Sequence, residues 1–155
     1  MKRRRRMEKS SQKTCRKETR RWQRADLFSI QTVEQYPGSY DDTIDQGQEE
    51  QSEGARPELA SEIEDISHYD TVFLGYPNWW GDMPMAVYSF LDEYDLSGKT
   101  VIPFVTSGGS GFSATVSAIE SAEPDAVVQE GIAIRDSDTM DAQAEINAWL
   151  DGLGY

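Results

Sequence analysis

Cysteine is all but absent: Cys15 stands alone among 155 residues, so no internal disulfide can form and no Cys/His cluster has the spacing of a metal site. Histidine is as scarce, and the lone His68 reads as the solvated end of a helix. Neither Ser107 nor Ser113 lies in the G-x-S-x-G elbow of a hydrolase, and Asp41, Asp42 and Asp45 lack the glycine and glutamate spacing of a calcium loop. No catalytic or metal-ligating side chain is therefore assigned. Apolar runs are also short. None approaches the ~20 residues of a membrane span, and no apolar run of signal length follows the arginines near the start, so a cytoplasmic protein without a membrane anchor is expected.

Positive charge is missing from most of the chain and crowded into one end. Lys2, Arg3, Arg4, Arg5, Arg6, Lys9, Lys13, Arg16, Lys17, Arg20, Arg21 and Arg24 make up twelve of the fifteen basic residues. Against Glu8 and Glu18 alone they give residues 1–24 a charge of +10, which leaves three basic and 26 acidic residues, −23, in residues 25–155. An acidic body repels nucleic acid and can steer basic partners. The basic segment has no aromatic platform interleaved with its charges, so nucleic-acid binding is not expected of it either. Only Met1, Met7, Cys15 and Trp22 are apolar there and they follow no period, so residues 1–24 are expected to lie outside the folded body as a disordered or peripheral segment. Residues 25–155 form the single domain.

Within that domain the apolar pattern switches repeatedly between strand and helix character. Residues 25–30 read as a short strand, and residues 36–56, rich in Pro, Gly, Asp and Gln, as a long polar loop. Pro57 suits a helix start, with Leu59, Ile63 and Ile66 on one face and an end near Ser67. Residues 71–77 are a continuous apolar run closed by Pro77, as a strand covered on both faces should be. A helix from near Pro84 carrying Val87, Phe90, Leu91 and Tyr94 follows, then a strand over 100–106 and a helix carrying Val116, Ile119 and Ala122. Residues 126–134 supply a last strand, and Ile146, Trp149, Leu150 and Leu153 stripe a last helix. This alternation calls for an α/β fold, a doubly wound parallel sheet in three layers, α/β/α, although Pro103 inside a strand is an objection.

Such sheets bind ligands beyond the carboxyl ends of their strands. Two loops occupy those ends. Pro77, Asn78, Trp79, Trp80 and Gly81 set adjacent tryptophans between a strand and a helix, which suits a planar conjugated ligand. A core cap and a flat surface tryptophan would account for the same residues. Thr106, Ser107, Gly108, Gly109, Ser110 and Gly111 offer hydroxyls and close backbone approach, suited to an electron-rich ring edge or a phosphate, or simply a turn.

The stretch Phe73-Leu-Gly-Tyr-Pro-Asn-Trp-Trp-Gly81, with Ser97-Gly-Lys-Thr100 and Thr106-Ser-Gly-Gly-Ser-Gly111, resembles the flavodoxin family, in particular its short bacterial members. The likeness extends more loosely over residues 25–155. It implies a flavodoxin-like fold in which Pro77 to Gly81 and Thr106 to Gly111 embrace the isoalloxazine of FMN, the flavin performing the redox step. The implied function is electron or hydride transfer to a small acceptor or a protein partner. One part departs from the family. Its apolar first strand and the Ser/Thr/Gly loop around the FMN phosphate correspond here to Arg3-Arg-Arg-Arg-Met-Glu-Lys-Ser-Ser-Gln-Lys-Thr14, an atypical N-terminus. The sheet is accordingly expected to be one strand short, leaving residues 71–76 to pair with 27–30 or with another chain as a homodimer. Poor discrimination of FMN from riboflavin would follow. The alternative function is a flavodoxin-like domain that has lost flavin and serves in interaction.

Overall fold

The computed structural model describes residues 25–155. The expectations for residues 1–24, including the phosphate loop, fall outside the described residues. Along the chain come α1 (Tyr40–Glu53), β1 (Thr71–Pro77), α2 (Met85–Glu93), β2 (Thr100–Ser107), α3 (Thr115–Ala122), β3 (Val127–Val128), β4 (Ile132–Arg135) and α4 (Gln143–Leu153).

The sheet is parallel throughout. β1 pairs with β2 from Thr71 opposite Thr100 to Pro77 opposite Thr106, and β2 pairs on its other side with β3 and then β4. Side chains alternate across it. Leu74, Tyr76, Val101 and Val105 face a core completed by Val87, Phe90 and Leu91 of α2 and Ile119 of α3. Ile132 and Ile134 face the opposite layer, where Ile146 and Trp149 of α4 cover them and Trp149 meets Phe73 edge-on at 6.0 Å. Three layers result, as the strand and helix alternation requires.

The final strand, expected as one unit over 126–134, is two. The break at 129–131 is where Pro103 falls: Val101 accepts from Gln129 N–H at 2.9 Å, so Pro103, two residues on, presents its missing N–H to the same neighbour. The chain bridges the defect with Gly131, whose Cβ, if it had one, would lie 2.0 Å from the Pro103 carbonyl oxygen. The objection raised by Pro103 is thus met by interrupting the partner strand rather than β2.

Residues 25–70 depart from expectation most. Residues 25–30 form no strand and do not pair with β1; Phe28 and Ile30 turn inward, Phe28 against Phe90 at 6.1 Å, while Leu27 is 97% exposed. Residues 36–56 are not a loop, for α1 occupies most of them. Its signals are polar: Ser39 caps the first turn through the Asp42 amide, Asp41 and Asp42 favour the positive end of the helix dipole, and Gly54 ends it at φ 62°. Residues 57–67 are not a helix. Leu59, Ile63 and Ile66 reach the core, but from extended chain: Ala60 N–H donates to the Gln31 carbonyl at 2.7 Å, Ser61 Oγ accepts from Gln31 N–H at 3.0 Å, and Ile63 N–H donates to the Tyr94 hydroxyl at 2.8 Å. Only a short 3-10 turn, Ile66–His68, remains of the expected helix. Those remote partners outbid the local spacing. Among the described residues the outer edge of β1 has no strand partner.

Candidate functional site

The carboxyl ends of β1 and β2 lie side by side, and the loops leaving them are fastened together at two levels. In the interior, Tyr76 donates its hydroxyl to Thr115 Oγ1 at 2.9 Å, and Thr115 passes its own to the Phe112 carbonyl at 2.7 Å. Burial is the chief cause that raises the Tyr76 phenol above its ordinary range, which keeps it a donor. Nearer the surface, Asn78 N–H donates to the Thr106 carbonyl at 2.8 Å. Its side-chain amide donates to the Gly111 carbonyl and Ser113 Oγ at 2.8 and 2.9 Å, and its carbonyl accepts from Gly81 N–H at 3.0 Å. Every donor of Asn78 is thereby used. It positions both loops.

The tryptophans divide the work. Trp79 and Asp82 exchange backbone hydrogen bonds of 2.9 and 3.1 Å, closing a two-residue hairpin whose central residues, Trp80 and Gly81, have φ of 55° and 78°. Positive φ at both positions is the type I′ turn, and Trp80 is a bulky residue held in it against its steric preference. The turn throws the two indoles apart. Trp79 goes inward under α1, where Gly47 leaves room for it and Tyr36 meets it edge-on at 5.3 Å. Trp80 stays 52% exposed, its Nε1–H donating to the Ile44 carbonyl at 3.2 Å and its backbone carbonyl accepting from Gln51 Nε2 at 3.5 Å. Asp82 closes the loop, its Oδ1 accepting from Met83 N–H at 2.7 Å and from the Tyr88 hydroxyl at 2.8 Å. Burial and then this carboxylate raise the Tyr88 phenol well above its usual value, and burial and then Glu50 do the same for Tyr36, so both stay protonated donors.

The glycine loop folds around Ser107, whose buried Oγ accepts from Gly109 and Gly111 N–H at 3.3 and 2.9 Å. The exposed amides of Gly108 and Ser110 have no partner among the described residues. They are donors in search of acceptors. Of the residues picked from sequence, Pro77 to Gly81 and Thr106 to Gly111 form one continuous edge, with Trp80, Gly108 and Ser110 presenting free chemistry. Two residues at this edge were not foreseen: Ser113, which ties Asn78 at φ 50°, and Arg135, whose guanidinium lies beside Gly109. Arg135 had a legible signal, a lone cation ending a strand in an acidic body. His68 sits elsewhere, 3.3 Å from Asp65. Two clefts, of about 670 Å³ along residues 56–62 and 89–93 and about 250 Å³ along residues 30–36 and Ala86, are not lined by either loop. No helix among the described residues is long and apolar enough to cross a membrane.

A family model described as flavodoxin matches residues 9–153. The chain is similar to a provisionally named flavoprotein of Bacteroides eggerthii DSM 20697, at 31% identity over 84% of this chain and 82% of that one, with a TM-score of 0.68. A second provisionally named flavoprotein, from Bacteroides uniformis ATCC 8492, gives 28% identity over 77% and 80% of the two chains and a TM-score of 0.66. A flavoprotein of Lactobacillus acidophilus NCFM solved in complex with FMN gives 25% identity over 74% and 77%, with a TM-score of 0.57. No curated protein matches the sequence.

Proposed function

The chain belongs to the flavodoxin family, and from that premise we propose that it holds FMN non-covalently at the edge formed by Pro77, Asn78, Trp79, Trp80 and Gly81 with Thr106, Ser107, Gly108, Gly109, Ser110 and Gly111. The observation that carries this reading is the pairing of a large indole face, Trp80 held at φ 55°, with the unpartnered amides of Gly108 and Ser110 on loops locked together by Asn78. A ring that is flat and edged with nitrogen and oxygen needs both. Strain in a non-glycine turn residue persists only where its surroundings enforce it, and such strain gathers at ligand sites. When bound, FMN supplies the redox chemistry, passing electrons to a small acceptor such as a quinone or to a protein partner. The protein's own residues position: Trp80 offers a stacking face, Gly108 and Ser110 donate to ring heteroatoms, and Ser107 and Asn78 hold those donors in place.

A second reading, a flavodoxin-like domain without flavin that serves in interaction, is favoured by one observation: neither of the two clefts named above is lined by these loops. Titrating FMN with the purified protein separates the two, since quenched flavin fluorescence belongs to the first reading and unchanged fluorescence to the second. Trp80→Gly sharpens the test. Relief of left-handed strain, about 1 kcal/mol, offsets loss of the Ile44 hydrogen bond, also about 1 kcal/mol, so stability should hold. Flavin affinity should fall by about 1–3 kcal/mol with the stacking face. Unchanged affinity in that folded variant would remove Trp80 from the site.

A further inference from the structure

Two of the three basic residues in the described body are engaged. Arg56 Nε meets Asp92 Oδ2 at 2.6 Å, and Lys99 Nζ donates to the Tyr69 carbonyl at 2.8 Å. Arg135 has neither an ion-pair partner nor a hydrogen-bond partner among the described residues. It closes β4 opposite Ser107, so the sheet delivers it to the foot of the glycine loop. Its guanidinium lies against that loop: a Cβ on Gly109 would be 3.6 Å from Nη2 and 3.8 Å from Cζ. The carboxylates next in sequence do not claim it. Asp136 Oδ1 accepts from Ser137 N–H at 2.7 Å, and Asp138 Oδ1 from the Ser137 hydroxyl at 2.9 Å. In a body that carries −23, a cation left without a counter-charge beside two free amides stands where an anion is wanted.

We propose that Arg135 is the electrostatic anchor of this edge for reduced flavin, so that its charge strengthens the hold on reduced FMN more than the hold on oxidised FMN; the proposal rests on the flavin reading above. Addition of two electrons and one proton turns the neutral isoalloxazine into a ring with one negative charge, and in the test the electrons come from dithionite. Only the charged ring gains from a guanidinium, so Arg135 acts on the difference between the two states and hardly on oxidised FMN. Asp136 stands on the other side of the balance. Its Oδ2 is 4.0 Å from the Cβ position of Gly108, and its charge opposes the anion.

The experiment compares wild type, R135M, R135K and D136N as full chains. The affinity for oxidised FMN is read from fluorescence quenching, and that for reduced FMN from the two-electron potential of the bound flavin against free FMN. R135M should leave oxidised affinity within about threefold and weaken reduced affinity about tenfold, which lowers the bound potential by about 30 mV. R135K should keep part of the difference, D136N should shift it the other way, and high salt should shrink it, because the charges are exposed. Equal weakening of both states in R135M, or a potential that does not move, overturns the role of Arg135 while leaving flavin binding intact. Absence of quenching by wild-type protein overturns the proposed function and this inference together.

Discussion

Residues 71–135 and the segments 25–38 and 55–70 contribute to one core by different means. In the first, Leu74, Tyr76, Val101 and Val105 hang from strands whose backbone groups are paired in a continuous parallel ladder, and Val87, Phe90 and Leu91 hang from a helix. In the second, Phe28, Ile30, Leu59, Ile63 and Ile66 reach the same core from chain outside the sheet, held by one isolated antiparallel bridge between Thr32 and Leu59 and by bonds such as Gln31 to Ser61 and Ile63 to Tyr94. Regular structure is thus not a condition of burial. It is a condition of shared, cooperative stability, and the wrap, with one isolated bridge in place of a ladder, is where local opening costs least.

The comparison can be broken or sharpened by substitution. Phe90→Ala removes a side chain 3% exposed that both regions touch, Phe28 from the wrap and Tyr94 at the helix end, and should cost about 3–5 kcal/mol in urea denaturation. Gly131→Ala drives a methyl group into the Pro103 carbonyl at the break between β3 and β4 and should cost about 3 kcal/mol; a tolerated alanine would show that the strand break is loose and not a fitted approach. Tyr94→Phe tests the wrap, since it leaves the Ile63 amide without its acceptor. Its cost should be about 1–2 kcal/mol, with amide exchange accelerated in residues 57–66 before any change in β1 or β2. If exchange rises evenly instead, wrap and ladder are one cooperative unit.

The smallest effect concerns Glu123, buried at the end of α3 with its Oε2 accepting from Leu96 N–H at 3.2 Å. Burial raises its carboxyl above the ordinary 4.5 despite that bond. The folded state therefore holds the proton more tightly than the unfolded chain, and the stability that this contributes is lost as pH rises through the folded value. Glu123→Gln keeps an acceptor for Leu96 and removes the charge. It should stabilise the protein by about 0.5 kcal/mol at neutral pH, and melting curves should show that gain vanish as pH falls toward 4.5.

The parallel unit from β1 to α3 was legible because its signals are local: a continuous apolar run closed by Pro77, a helix opened at Pro84, and a second apolar run after a Gly-Lys turn. Apolar spacing misread residues 57–67 as a helix, and polar composition misread residues 36–56 as a loop. Apolar periodicity reports which side chains will be buried and not which partner the backbone will find, and α1, nearly devoid of an apolar face, is announced only by its caps.

Hydrophobicity, turn glycines and charge belong to each residue wherever it stands, so the alternation of strands and helices from residue 71 to residue 122, most of the buried set, the two loops and the split between basic end and acidic body were determined by the sequence alone. Tertiary structure decided what depends on residues far apart in the chain. Gln31 and Ser61 together forbid a helix that either stretch alone would allow, and Pro103 breaks not its own strand but the one that arrives beside it. Asn78 becomes a clamp only because Gly111 and Ser113 reach it, and Trp79 is withdrawn while Trp80 is offered because α1 packs over one of them. Arg135 meets Gly109 only because β4 lies in register with β2, a contact set by sheet pairing that no local pattern encodes.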